Sequence, residues 1–314
     1  MRPPQRLTLR SPALWGLLIG LSLIAPLASP SPAAAQLFQP GGLAAALKAR
    51  VGPPHPDTIA AYTQAGASRT QGHELTEHEW ALVEQAIQSL PPLHQRILES
   101  HLARLSFIEA PSSSGTALTR MYDGPDGQPR VDITLRADVL DQSLSTFLTR
   151  KEQSLFSDDG SGLSVQVGAG DAQALPYLLL HEASHVVDRT LGLMQSGDGI
   201  ADIWKDYRTL TEPYAGSLLA QSVYRRAPQL PAAKGPALYE ALARSPFVSL
   251  YATASAGEDF AELVTWETLS RRDKTPLAFE VRDRDGQVIA RVEPLKQLGV
   301  QARLQAVAAQ LAGY

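Results

Sequence analysis

The stretch His181-Glu182-Ala183-Ser184-His185 constrains this chain more than any other. It follows the apolar run Pro176-Tyr177-Leu178-Leu179-Leu180 and precedes Val186-Val187-Asp188, with Gly192 shortly after. Pro176 suits a first helical turn and Gly192 a helix end, so the pattern predicts one helix across the whole stretch. At roughly 100° per residue, histidines four apart fall about 40° from each other on one helix face. Two imidazole nitrogens can then meet one metal ion. Glu182, one step round the helix, would reach a water on that metal rather than the metal itself. The plainer alternative is a buried helix whose histidines are satisfied by core hydrogen bonds.

Residues 251–262, YATASAGEDFAE, supply what the first motif lacks. Glu258 and Glu262 are four apart and share a helix face, while Phe260, Leu263, Val264 and Leu269 can bury another. Glu258 can complete a two-His, one-Glu set that leaves a fourth position open, the arrangement expected of catalytic zinc. Glu262, one turn on, could accept the free N–H of a ligand histidine and fix its tautomer. A competing role exists for Glu258. Ser255 and Glu258 also read as a capping box, in which Glu258 would merely bond the helix N-terminus.

The other histidines are weaker. His73-Glu74 and His78 are five apart, about 500° of turn, which separates the two rings. His94 and His101 share a face but lack an evident third ligand. The chain contains no cysteine, so any metal must be held by nitrogen and oxygen and no disulfide framework exists. Asp188 could support the site, or stand as an exposed helical aspartate beside Arg189.

The first 35 residues read as a signal peptide. Arg2, Arg6 and Arg10 precede an uncharged apolar stretch, and Ala33-Ala34-Ala35 offers small residues for cleavage after Ala35. Pro26 and Pro30 shorten the apolar run below a comfortable membrane span. An exported protein, periplasmic or secreted, is expected. Removing the leader takes the formal charge from −4 to −7, which gives no reason to expect nucleic-acid binding.

Residues 36–104 read as an Ala/Pro/Gly-rich lead-in and an N-terminal helical lobe. Thr76 and Glu79 form a capping box there, and Pro91-Pro92 opens a second helix. Residues 105–314 read as the main domain. Short strands are expected at 105–110, 116–121, 130–135 and 163–167, with a helix over 136–150. Helical runs follow at 216–225 and 236–243. Around Asp283-Arg284-Asp285-Gly286 the turn chemistry predicts a hairpin, before a last amphipathic helix over 295–311. The fold class is α+β, mostly helical with a small sheet.

The histidine motif with a downstream glutamate on a second helix resembles the gluzincin metallopeptidases. It is closest to their lethal-factor-like and Pro-Pro endopeptidase branch, where a tyrosine stands seven residues before the ligand glutamate. Tyr251 stands seven before Glu258, and Glu258-Asp259-Phe260-Ala261-Glu262 fits the family's E-x-F-A-E-like run. The resemblance spans about residues 163–270. It implies a zincin-like fold, Zn2+ held by His181, His185 and Glu258, Glu182 as general base and Tyr251 as oxyanion stabiliser. Glu262 would stand behind the ligands. The implied substrate is a peptide or protein. Two other readings stay open: a zinc amidase acting on cell-wall peptide, and an inactive zincin-like protein that binds a partner.

Overall fold

The computed structural model describes residues 42–195, 202–274 and 276–314. The leader therefore lies outside the described residues, as does Gly197-Asp198-Gly199 in the segment after the histidine helix. Among the described residues no helix is long and apolar enough to cross a membrane.

The protein is α+β. Two short helices, α1 (Gly42–Lys48) and α2 (Pro56–Gln64), lead through the two-residue strand β1 (Gln71–Gly72) into α3 (Glu77–Gln88) and α4 (Pro92–His101). The Thr76 capping box forms in full: its hydroxyl accepts from Glu79 N, and the Glu79 carboxylate accepts from Thr76 N. Pro92 opens α4, where a missing N–H costs nothing.

Strands β2 (Leu102–Glu109), β3 (Ala117–Asp123) and β4 (Pro129–Arg136) follow. The sheet order is β1-β2-β4-β3, with β2 parallel to β4 and β3 antiparallel to it at one edge. Val131, Ile133 and Leu135 are fully buried and hold the centre of this sheet in the core.

The expected helix over 136–150 is displaced. Arg136 still belongs to β4, and α5 runs Leu144–Gln153. Ser143 sets the start by accepting from Thr146 N at its N-cap.

After the two-residue β5 (Phe156–Ser157) and β6 (Ser164–Gly168) comes the histidine helix, α6 (Ala174–Leu191). Gly192 ends it at φ 67°, a left-handed conformation that glycine adopts without a Cβ penalty. Helix α6 is buried on almost every side, with Leu175, Leu179, Ala183, Val186 and Val187 all nearly inaccessible. Helices α3, α4 and α5 pack against it.

The helical run expected at 216–225 is not an α-helix. Ser217 and Ser222 break it into two 3-10 turns, Leu218–Gln221 and Val223–Arg225. Strand β7 (Leu230–Pro231) pairs with β5, and α7 spans Gly235–Ala243. A 3-10 turn at Tyr251–Ala254 then delivers the chain to α8 (Ala256–Asp273), which lies along α6.

Strands β8 (Ala278–Arg282) and β9 (Val288–Val292) form the expected hairpin and join β6 in a three-stranded antiparallel sheet. Helix α9 (Leu298–Leu311) closes the fold.

Candidate metal centre

Two helices meet face to face at the site: α6 brings His181 and His185, and α8 brings Glu258. The His181 and His185 Nε2 atoms are 3.2 Å apart. Glu258 Oε2 lies 3.0 Å from the first and 3.2 Å from the second. All three side chains are largely buried.

The near-equilateral arrangement fits a metal ion. In a tetrahedral zinc site with bonds of about 2.0–2.1 Å, ligand atoms stand about 3.3–3.4 Å apart. Two nitrogens and one carboxylate oxygen, with no sulfur, are also a zinc donor set. Among the described residues this is the one group of three such side chains able to hold an ion.

Ser255 does cap α8, accepting from Glu258 N at 3.2 Å. The Glu258 carboxylate does not return to the cap; it faces the histidines. Only the backbone half of the capping box forms. The helix start thus turns the Glu258 carboxylate towards the histidines instead of holding it at the cap.

The electrostatics favour positive charge here. Burial works against a charged His181, but a hydrogen bond to Glu258 and the Glu262 carboxylate beside the ring overcome it and raise its pKa to about 10. Towards Glu262 the contact is one of charge, 3.0 Å from Nδ1. Burial likewise opposes an ionised Glu258. The charge of His185 and hydrogen bonds from both histidines still hold its carboxyl well below the usual range.

Glu262 sits one turn further on. Its Oε1 is 3.0 Å from His181 Nδ1, close enough for an ion pair though off line for a hydrogen bond. The same carboxylate accepts from Tyr177 Oη, from Ser249 Oγ at 2.6 Å and from Trp266 Nε1 at 3.2 Å. Against burial, the charges of Lys151 and His181 and the bond from Ser249 keep its pKa at about 2. An ionised acceptor behind a histidine fixes that ring's orientation.

Glu182 points to the other side, towards the first sheet. Its Oε2 accepts from Thr119 Oγ1 at 2.5 Å, and Thr119 lies on the edge strand β3. This tether leaves Oε1 of the same carboxylate without a hydrogen bond to protein among the described residues.

Tyr251 stacks its ring on His181, with centroids 5.7 Å apart and planes 28° from parallel. Burial and the carboxylates of Glu258, Glu182 and Glu262 hold its hydroxyl well above the ordinary phenol pKa, so it stays a donor. The opening residue of the 3-10 turn, Tyr251 is braced edge-on by Tyr224, 5.0 Å away. Lys151, from α5, places its ammonium 3.4 Å from the Tyr251 ring centroid.

Two further contacts set the start of α8. A Cβ on Gly257 would lie 2.0 Å from the Tyr207 hydroxyl, so only glycine fits beside that ring. Asp259 accepts from Trp204 Nε1 at 2.8 Å and from Arg303 Nη1 at 2.7 Å. The last helix, in which the sequence carries no evident chemistry, thus pins the residue after Glu258.

Asp188 is not the exposed aspartate its neighbour Arg189 suggests. It is buried and accepts from Met194 N at 2.7 Å, closing the turn after α6. His94 is buried too. Ser184 donates to Leu180 O, so His94 Nε2–H donates to Ser184 Oγ at 3.0 Å, on the face of α6 away from the centre. His101 contacts Pro129 O at 3.2 Å and takes no part.

No protein-family model, curated protein or solved structure matches this chain.

Sequence reasoning missed Thr119, Lys151, Tyr177, Ser249 and Trp266. Ser249 lies 13 residues before Glu262 and Thr119 lies 63 before Glu182, and no helical or strand period links such pairs. Trp266 was within reach, because it stands four residues after Glu262 on the same helix.

Proposed function

We propose that this protein is an exported zinc-dependent metallopeptidase with a zincin-like fold, hydrolysing peptide bonds. The observation that carries the reading is the meeting of His181 Nε2, His185 Nε2 and Glu258 Oε2 within 3.0–3.2 Å of one another. Those three atoms would hold the metal. Zinc bound there supplies a Lewis acid that polarises a carbonyl and acidifies water.

The remaining residues divide the other tasks. Glu182, held by Thr119 at one oxygen, takes a proton at the other and delivers it to the leaving amine. Tyr251 donates its hydroxyl to the oxygen of the scissile carbonyl as negative charge develops there. Glu262 keeps His181 in one tautomer and orientation. Among the described residues strand β3 has one unpaired edge and touches Glu182 through Thr119, so an extended peptide added along that edge would pass the centre.

An inactive binding protein needs neither a tethered Glu182 nor a protonated Tyr251 beside the metal ligands. That favours turnover. An amidase acting on cell-wall peptide would use the same residues and differs only in substrate.

The test is Glu182→Gln. The variant is expected to retain zinc while peptide cleavage falls by about a hundred- to ten-thousand-fold, the range for loss of a general base. Cleavage near the parent rate would remove Glu182 from the mechanism.

A further inference from the structure

Lys151 stands in the last turn of α5, and its Nζ lies over the Tyr251 ring at 3.4 Å from the centroid. The Tyr224 ring centroid is 5.9 Å away. An ammonium carries three N–H donors, and an aromatic face satisfies its charge without accepting a directed hydrogen bond from each. Among the described residues no hydrogen bond or ion pair reaches Nζ. Glu152 and Glu262 both feel its charge, yet neither pairs with it. Glu152 bonds Tyr239, and the Glu262 oxygens are taken up by Tyr177, Ser249 and Trp266.

Lys151 is half-buried, and its Nζ is not among the polar atoms sealed from solvent without a partner. A cation with unused donors is thus held against the tyrosine that would face the reacting carbonyl.

Resting on the peptidase reading, we propose that Lys151 is a specificity residue that binds a carboxylate of the substrate close to the scissile bond. Held this close to Tyr251, the ammonium would meet charge on residues near that bond. The carboxylate has two possible sources: the free C-terminus of the peptide, or an Asp or Glu side chain. The first makes the enzyme act at chain ends; the second makes it select acidic sequences within a chain. The carboxylate fills the unused donors, and a charge-assisted hydrogen bond of that kind separates charged from neutral peptides by roughly ten- to a hundred-fold.

The experiment measures binding, so it does not depend on turnover. Zinc-loaded full-length Glu182→Gln protein is titrated with a fluorescein-labelled neutral peptide in three forms. One is amidated, one has a free C-terminal carboxylate, and one is an amidated set with glutamate at each position in turn. One carboxylate form is expected to bind roughly ten- to a hundred-fold more tightly than the amide. Adding Lys151→Met should bring that ratio near one, and Lys151→Arg should keep most of it.

A preference for the free C-terminus assigns the first source, and a preference for one glutamate position assigns the second. Equal binding of all forms by the parent overturns the proposal, whether or not Lys151→Met folds. So does a preference that survives Lys151→Met, which would leave the ammonium only to offset Glu152 and Glu262. Failure of the peptidase reading appears elsewhere, as absent cleavage of any of these peptides by the zinc-loaded protein with Glu182 intact.

Discussion

Two stretches of this chain pair a His-Glu dipeptide with a second histidine a turn or more later, and their fates are opposite. At His181 and His185 the rings meet edge to face, 4.8 Å between centroids, with Glu258 between their nitrogens. At His73 and His78 they part. Thr76 is the N-cap of α3, in extended conformation, so His73 precedes the helix and His78 lies inside its first turn. His73 pairs with Glu79 at 3.1 Å and Glu109 at 3.4 Å, while His78 is exposed and 3.7 Å from Asp141. Spacing along a sequence becomes geometry only where the helix already runs. In α6 the helix starts seven residues before His181; in α3 it starts four residues after His73.

Burial alone does not make a histidine a ligand either, and His94 shows this in the same molecule. It is as buried as His181 but has one hydroxyl partner and no carboxylate. Burial depresses its pKa from 6.5 to about 4. The unfolded chain takes up that proton near the ordinary value, whereas the folded protein resists until about pH 4. Its contribution to stability is therefore complete above about pH 6.5 and lost as pH falls through about 4. It amounts to at most about 3 kcal/mol. Denaturant unfolding at several pH values should show a loss over this window that is smaller in His94→Gln. Identical pH profiles would contradict the assignment.

The carboxylate layer behind His181, which His94 lacks, is tested by Glu262→Gln. The amide keeps the size and removes the charge. Zinc affinity, measured by competition with a chelator, is expected to fall by about ten- to a hundred-fold. An unchanged affinity would reduce Glu262 to a packing residue. The smallest effect is expected from Glu77→His combined with His78→Ala, which writes His-Glu-Leu-Thr-His at 73–77. Because residues 73–76 are not helical, the new motif should add no zinc to the protein. Additional bound zinc in the double variant would mean that spacing suffices without a helix.

The parts of the fold legible in the sequence were those set by local chemistry. The histidine helix with its terminal Gly192, the Thr76–Glu79 capping box and the β8–β9 hairpin all follow from neighbouring residues. The meeting of His181, His185 and Glu258 was legible because two helical periods of four each left a mark. What escaped depended on tertiary contact. The parallel pairing of β2 with β4 sends β3 to the edge, and this alone brings Thr119 to Glu182. The burial of Asp188 follows from the turn that Met194 makes back onto it, against the charge pattern of its own helix. The 216–225 segment has enough apolar residues for a helix, yet Ser217 caps a short turn and the chain extends at Ser222 before a second one.

Zinc content per chain tests the central claim most directly, measured on the purified, zinc-loaded parent beside Glu258→Ala and His73→Ala. About one zinc is expected in the parent and in His73→Ala, with clear loss in Glu258→Ala. A parent that takes up no zinc, or a Glu258→Ala variant that holds as much as the parent, would contradict it.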